Sequence, residues 1–161
     1  MTSRPEAVAA FQRAFHEAEA YCSSLTDEEF AYQPPDDPWS PPILITHLGT
    51  AIRFNKLMLQ AARQGLAISP EQFEQLRDTT QNAKSDSRKQ IFARLRADYQ
   101  DFLDYISTLP EQEDVTEFTF HAPRGSRSIT LLGCLTGLAA HTREHLQQLR
   151  TWLDQRHINV L

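Results

Sequence analysis

The last part of the chain carries the pattern that most restricts the fold. Apolar residues recur there every three or four positions, which is the spacing of one face of an α-helix. They are Leu131, Leu135, Leu138, Leu149 and Trp152. The pattern predicts one amphipathic helix over about 128–156, with Ser128 as its N-cap. Because one face of this helix must be buried, other elements have to pack against it.

The same spacing of apolar residues predicts three earlier helices. Each is bounded by residues that begin or end helices: Pro5 in the first turn of the first helix, Ser40 as N-cap of the second, Gly65 after its end, and Pro110 after the third. The predicted ranges are about 5–24, 41–64 and 85–109.

Two long connections separate the predicted helices. The first, 65–85, is polar and is expected to contain at most one turn, around Phe73 and Leu76. The second, 110–128, is expected to be irregular or hairpin-like, with any strand confined to about 113–122, ahead of Pro123-Arg124-Gly125. Four amphipathic helices with long connections predict an all-α protein, a four-helix bundle that forms one domain over 1–161.

Composition excludes several classes of protein. The net charge of −5 and the lack of a basic stripe argue against a nucleic acid partner. Membrane association is not expected, because no apolar run approaches the roughly 20 residues of a membrane span, and no secretory signal pattern is present, so a cytoplasmic location is expected. Cys22 and Cys134 are too few for a disulfide framework or a multi-cysteine zinc site, so any metal ligands must be nitrogen or oxygen atoms.

Histidines on the predicted apolar faces indicate a metal site. His141 and His145 are four residues apart on one helix, where Cβ atoms lie about 5–6 Å apart. Both rings can therefore bind one ion at about 2.0–2.1 Å. His47, beside the apolar stripe of the second helix, is the leading candidate for a third ligand, since a buried imidazole needs partners for its nitrogens. The alternative is that these are hydrogen-bonded core or surface histidines.

Three neutral imidazoles would leave an ion with at least one open position, as catalytic sites do. The donor set suits zinc, nickel, iron or copper, and affinity order does not choose among them; zinc, nickel or iron is the expected ion. Glu144 is the candidate catalytic residue, as a proton acceptor or by orienting an imidazole; an exposed glutamate paired with a nearby charge is the alternative. A catalytic site would face a cavity lined by the helix faces that bear His47, Tyr99 and Glu144.

The segment from His141 to His145 also matches the H-x-x-E-H pattern of inverted zinc peptidases, in which Glu144 would be the general base. Those enzymes are much larger and take an acidic third ligand from downstream. Here Asp154 is the sole acid after His145, about 13 Å further along the helix. The sequence therefore argues against a peptidase.

Several motifs together resemble the DinB/YfiT-like superfamily over essentially the whole chain. They are Trp39-Ser40, Ile45-Thr46-His47-Leu48, the Gly125 loop, and His141-Thr142-Arg143-Glu144-His145-Leu146-Gln147-Gln148. The resemblance implies a bundle of up-up-down-down type, a divalent ion held by His47, His141 and His145, and frequently a homodimer. Family members include thiol-dependent S-transferases and isomerases that use small thiol cofactors.

The resemblance implies a metal-dependent enzyme of thiol S-transferase or hydrolase type that acts on a small molecule, with a small thiol as a second cofactor. One alternative is a non-catalytic bundle that binds metal in a stress response or binds a ligand. Another is a bundle whose metal site is structural. His16, His121 and His157 are expected to be dispensable for metal binding.

Overall fold

The computed structural model describes residues 2–122 and 125–159; Pro123 and Arg124, in the predicted turn, lie outside the described residues. Within these ranges the chain forms α-helices, two short 3-10 helices at Asn82–Ser85 and Glu111–Glu113, and one hairpin. The elements are α1 (Arg4–Ser24), α2 (Asp27–Phe30), α3 (Pro41–Arg63), α4 (Pro70–Gln81), α5 (Arg88–Ser107), β1 (Phe118–Ala122), β2 (Gly125–Ile129) and α6 (Leu131–Asn159).

The long helices α1, α3, α5 and α6 form a bundle. Its core includes fully buried aromatic side chains, with Phe11 packed edge-to-face on Phe102 at 5.9 Å between ring centroids. The apolar stripes predicted for all four helices face this core. None of the helices in the described ranges combines the length and the apolar composition that crossing a membrane requires.

Contacts between the helices show their directions. The α1 and α5 helices are antiparallel, because Arg4 donates to the carbonyl of Leu109 at 2.6 Å and Arg88 donates to the carbonyl of Ser23 at 2.9 Å. The α3 and α5 helices are parallel, with ion pairs Arg53–Asp98 and Lys56–Asp101 in register. Finally, α6 is antiparallel to α3 and parallel to α1.

The prediction of an all-α four-helix bundle with long connections is confirmed. Along the chain the four helices run up, down, down and up, whereas the resemblance implied up-up-down-down. The physical reason lies in the α3–α5 connection, where α4 runs back along α3, with Thr80 bonded to Thr50 and Phe73 packed on Phe54. This return starts α5 at the same end as α3.

The α4 helix is a correction to the sequence analysis, which expected a polar connection with at most one turn. The Ser69 hydroxyl accepts from the backbone N–H of Gln72, whose side chain accepts from the Ser69 N–H, forming a capping box ahead of Pro70. The helix buries only Leu76 and Thr80. With so few buried positions the segment is polar overall, which is why the sequence alone predicts a connection there.

The hairpin and the start of α6 also differ from expectation. Strand β1 lies within the predicted range, but β2 lies beyond it, since its register pairs Phe118 with Ile129. All of β2 except Ile129 is exposed, so it has no apolar alternation to reveal it. Ser128 belongs to this strand and is not the helix cap. Thr130 caps α6, accepting from the N–H of Gly133 at 2.9 Å.

Candidate metal centre

Two antiparallel helices bring the three predicted histidines together. His47 lies in the second turn of α3, and His141 and His145 lie in the middle of α6. The ring centroids are 5.0 Å apart for His47 and His141, 4.9 Å for His47 and His145, and 4.4 Å for His141 and His145. One nitrogen from each ring lies within 4.8 Å of the other two. All three rings are partly buried.

The distance between two of these nitrogens fits a single metal ion. Nε2 of His141 lies 3.1 Å from Nε2 of His47. Two nitrogens that bind one tetrahedral ion at about 2.0–2.1 Å are themselves about 3.3 Å apart, so this pair needs little adjustment. Within the described residues the group contains three histidines and no acid or cysteine. The donor set is therefore all nitrogen and leaves at least one position on an ion open.

The environment keeps two of the rings neutral. Burial, together with His145 and His141, lowers the pKa of His47 to about 4. Burial and His145 also lower the pKa of His141, and the carboxylate of Glu144 acts in the opposite direction. Neutral imidazole is the form that binds a metal, so at neutral pH these rings are in the form a ligand requires.

A hydrogen-bonded chain connects His145 to the loop before α3. Nδ1 of His145 lies 2.8 Å from Oε1 of Gln148, and Nε2 of Gln148 donates to Oδ2 of Asp37 at 3.3 Å. Oδ1 of Asp37 accepts from the backbone N–H of Trp39 at 2.9 Å. Metal-binding histidines commonly have their second nitrogen held in this way.

The Trp39 indole covers two of the three histidines. Its ring lies 4.7 Å from that of His47 and 5.7 Å from that of His145, nearly parallel to the latter at 22°. From the sequence, Trp39 is known only as part of the Trp39-Ser40 motif of the family resemblance. The signal that could have identified a further role is an aromatic residue directly before a helix that carries a predicted ligand.

A cavity of about 1270 Å³ adjoins the histidines, between α3, α4, α6 and the hairpin. His47 and His141 form part of its wall. Most of the remaining wall surface is apolar, from residues of α3, α4 and α6, and polar and charged side chains, among them Arg77, Lys84 and Glu117, form the rest. Prominent among the lining residues are Phe54, Met58, Phe73, Leu76, Leu138, Thr50, Thr80 and Arg127.

Other residues named from the sequence lie outside the histidine group. Tyr99 is stacked on Phe15 between α1 and α5, at 3.7 Å between centroids, and Glu144 is exposed. Neither side chain lines the cavity. No residue of α5, all of which the structure describes, does so, and the prediction for the face that bears Tyr99 is therefore wrong. By contrast, Gly137 and His141, on the same face of α6 as Glu144, are part of the wall. Cys134 also lines the cavity, but burial raises the pKa of its thiol to about 11, as expected for a core residue and not for a nucleophile.

The remaining histidines are separate from the group. His16 and His157 are exposed, and Nδ1 of His121 lies 2.7 Å from the hydroxyl of Ser126 in the hairpin. Asp154, the only acid that could complete a peptidase site, is also exposed and is not part of the group.

Comparisons with known proteins agree with this fold. Similar solved structures include DfsB, described as a sibling lethal factor precursor (15% identity, TM-score 0.73, covering 97% of this chain and 98% of that one). A mycothiol-dependent maleylpyruvate isomerase is also similar (15% identity, TM-score 0.70, covering 92% of this chain and 63% of that one). So is YfiT from Bacillus subtilis, described as a probable metal-dependent hydrolase with an unusual four-helix bundle topology (18% identity, TM-score 0.69, covering 98% of this chain and 91% of that one).

At these identities the structural likeness shows the fold alone. A search of the curated proteins found no match. The model of the DinB superfamily, however, matches residues 10–149, which is most of the sequence. The chain belongs to the DinB superfamily.

Proposed function

We propose that His47, His141 and His145 hold one divalent ion, and that the protein is a metal-dependent enzyme of thiol S-transferase or hydrolase type acting on a small molecule. The observation that carries this is a cluster of three imidazoles on two packed helices, two of them in the wall of a cavity of about 1270 Å³. The descriptions of YfiT and of the isomerase as metal-dependent and mycothiol-dependent proteins give this proposal further support.

The proposed ion is zinc, nickel or iron, each of which accepts three imidazole ligands. When bound, it would supply a Lewis acid and lower the pKa of a coordinated water or thiol. The chain itself does the rest: α3 and α6 hold the three rings, Trp39 covers two of them, and the cavity receives the substrate.

The cavity sets the proposed class of substrate. It extends along α3 from His47 to Met58, which are eleven positions or about 16 Å apart on a helix. Apolar side chains line most of this length, and the Thr50–Thr80 hydroxyl pair, 3.1 Å apart, offers a polar contact partway along it. A small molecule with an elongated apolar body fits these walls, and a small thiol as second cofactor would share the same space.

The alternatives differ in what happens at the open position. A structural site would be closed by a fourth protein ligand, and the histidine group of the described residues has none. A non-catalytic metal-binding or ligand-binding bundle would use the same cavity without turnover. Binding of an exogenous ligand to the ion, followed by product formation, separates the three functions.

Metal analysis of protein made without a histidine tag tests the site. One ion per chain is expected, with its loss in His47→Ala, His141→Ala and His145→Ala. The matched controls His16→Ala, His121→Ala and His157→Ala should keep it. Full metal content in His47→Ala together with loss in His121→Ala would show that the third ligand is wrongly assigned.

Cobalt-substituted protein tests the chemistry. Titration with small thiols should change the ligand-field bands if the ion has an exchangeable position. No spectral response to any exogenous ligand, combined with a large loss of stability on chelation, would decide for a structural site. Glu144→Gln should retain the ion and slow turnover if Glu144 is catalytic, and an unchanged rate would remove that role.

The proposed homodimer rests on the family resemblance. Within the described residues, Leu66 and Val115 are the large hydrophobic side chains that are exposed, at 54% and 60%. A dimer would therefore need an interface with a substantial polar component. Light scattering at micromolar concentration tests this, and a monomeric mass would exclude the dimer under those conditions.

A further inference from the structure

We propose that Asp37 and Gln148 are positioning residues: together they determine which nitrogen of His145 faces the ion, and Asp37 also holds Trp39 over the site. The inference rests on the proposed function, in which His145 is a ligand. It concerns two residues that have no place in the three-histidine site itself and that lie 111 positions apart in the chain.

The first step is the orientation of the Gln148 amide. An ionised carboxylate only accepts hydrogen bonds, whereas an amide has a donating NH₂ end and an accepting oxygen. Oδ2 of Asp37 lies 3.3 Å from Nε2 of Gln148, so the NH₂ end faces the carboxylate. The reverse orientation would set two oxygens against each other. Asp37 therefore fixes the amide with its oxygen, Oε1, towards His145.

The second step is the tautomer of His145. Oε1 of Gln148 can only accept, and it lies 2.8 Å from Nδ1 of His145, so Nδ1 carries the proton. A neutral imidazole has one N–H, which leaves the lone pair of Nε2 free for the ion. Reversing the amide would offer a donor to Nδ1 and place the N–H on Nε2, where it would oppose metal binding.

The third step concerns Trp39. The second oxygen of Asp37 accepts from the backbone N–H of Trp39 at 2.9 Å. Gln33 fixes the same loop, donating to the carbonyls of Asp37 at 2.8 Å and Trp39 at 3.1 Å. The indole is thereby held against the rings of His47 and His145. One carboxylate thus controls both the ring that binds the ion and the ring that covers it.

Zinc affinity, measured against a competing chelator, tests the proposal. Asp37→Asn is nearly isosteric but allows either amide orientation, and Gln148→Leu removes the acceptor. Both should weaken zinc binding by about 10- to 100-fold. The chain offers adjacent residues of the same types as matched controls, Asp36→Asn and Gln147→Leu, both at exposed positions. These controls should bind zinc like the unmodified protein.

The nitrogen-15 resonances of His145 in metal-free protein give a readout that a general loss of stability would not produce. The unmodified chain should show the proton on Nδ1, and Gln148→Leu and Asp37→Asn should show a mixture of tautomers. Gln148→Glu keeps an acceptor for Nδ1, so it should restore the tautomer while shifting the indole N–H resonance of Trp39, because its carboxylate repels Asp37.

The failures of the two proposals are distinguishable. If the unmodified protein binds zinc through the three histidines and both Asp37→Asn and Gln148→Leu bind it equally well, the positioning proposal is overturned and the metal site stands. If the unmodified protein binds no divalent ion, the proposed function fails. A His145 proton found on Nε2 in metal-free protein overturns the positioning proposal in either case.

Discussion

Acid should destabilise the metal-free protein through His47. Burial beside His145 and His141 lowers the pKa of this imidazole from 6.5 to about 4. Between these pH values the unfolded chain binds a proton that the folded chain does not. The stability that depends on keeping His47 neutral is therefore fully present above about pH 6.5, and it is lost as the pH falls towards 4.

The size of the effect follows from the difference between the two pKa values. They differ by about 2.5, and each pKa unit corresponds to about 1.4 kcal/mol, which gives an upper limit of about 3.5 kcal/mol. The ring is only partly buried, so solvent screening reduces this value. We expect a loss of about 1–3 kcal/mol in the free energy of unfolding by about pH 4.5 that depends on His47.

Urea unfolding of metal-free protein at a series of pH values measures this loss. Carboxylates also contribute to acid destabilisation, so the informative quantity is the difference between the unmodified chain and His47→Gln. That difference should change by about 1–3 kcal/mol across the window, whereas His16→Gln, at an exposed position, should follow the unmodified chain. Parallel pH profiles for the unmodified chain and His47→Gln would refute the reasoning.

Three further predictions concern stability. Phe102→Ala removes a fully buried ring and should cost about 3–5 kcal/mol in urea unfolding, against less than about 0.5 for the exposed control Leu66→Ala; similar losses for the two would contradict the described core. Thr130→Ala should cost about 1 kcal/mol because the N–H of Gly133 loses its cap, and an equal cost for Ser128→Ala would contradict this assignment. Zinc at about 100 times its Kd should add about 2.7 kcal/mol to the stability of the unmodified chain and little to that of His145→Ala, as measured by melting temperature; equal gains would place the ion elsewhere.

The parts of the fold that could be predicted are those with many buried positions in one helix. The stripes of α1, α3, α5 and α6 repeat over several turns, so their periodicity is clear in the sequence and the residues are buried in the structure. His47, His141 and His145 could be named because each lies on or beside such a stripe. Packing of α3 and α6 through those stripes puts the three rings at one interface, and the tertiary fold sets their common height along the two helices.

The rest depends on contacts that leave little trace in local sequence. The α4 helix buries few residues, and β2 is a strand because it pairs with β1 and not because of its own composition. The roles of Asp37 and Trp39 arise from contacts with α6, more than 100 positions away. No rule of sequence spacing connects Asp37, in the loop before α3, to Gln148 on the last helix.

The parallel packing of α1 and α6 has a consequence for the order of assembly. The α1 helix packs extensively against α6, so this contact can form only when the last helix is present. Two of the three histidines also lie on α6. His47 and His141 are separated by 94 positions, so joining them closes a long loop at an entropic cost. A nascent chain that ends before α6 has an incomplete core and a single member of the histidine group. We therefore expect the bundle to be completed only when α6 docks. A bound ion could stabilise it only from that step onwards.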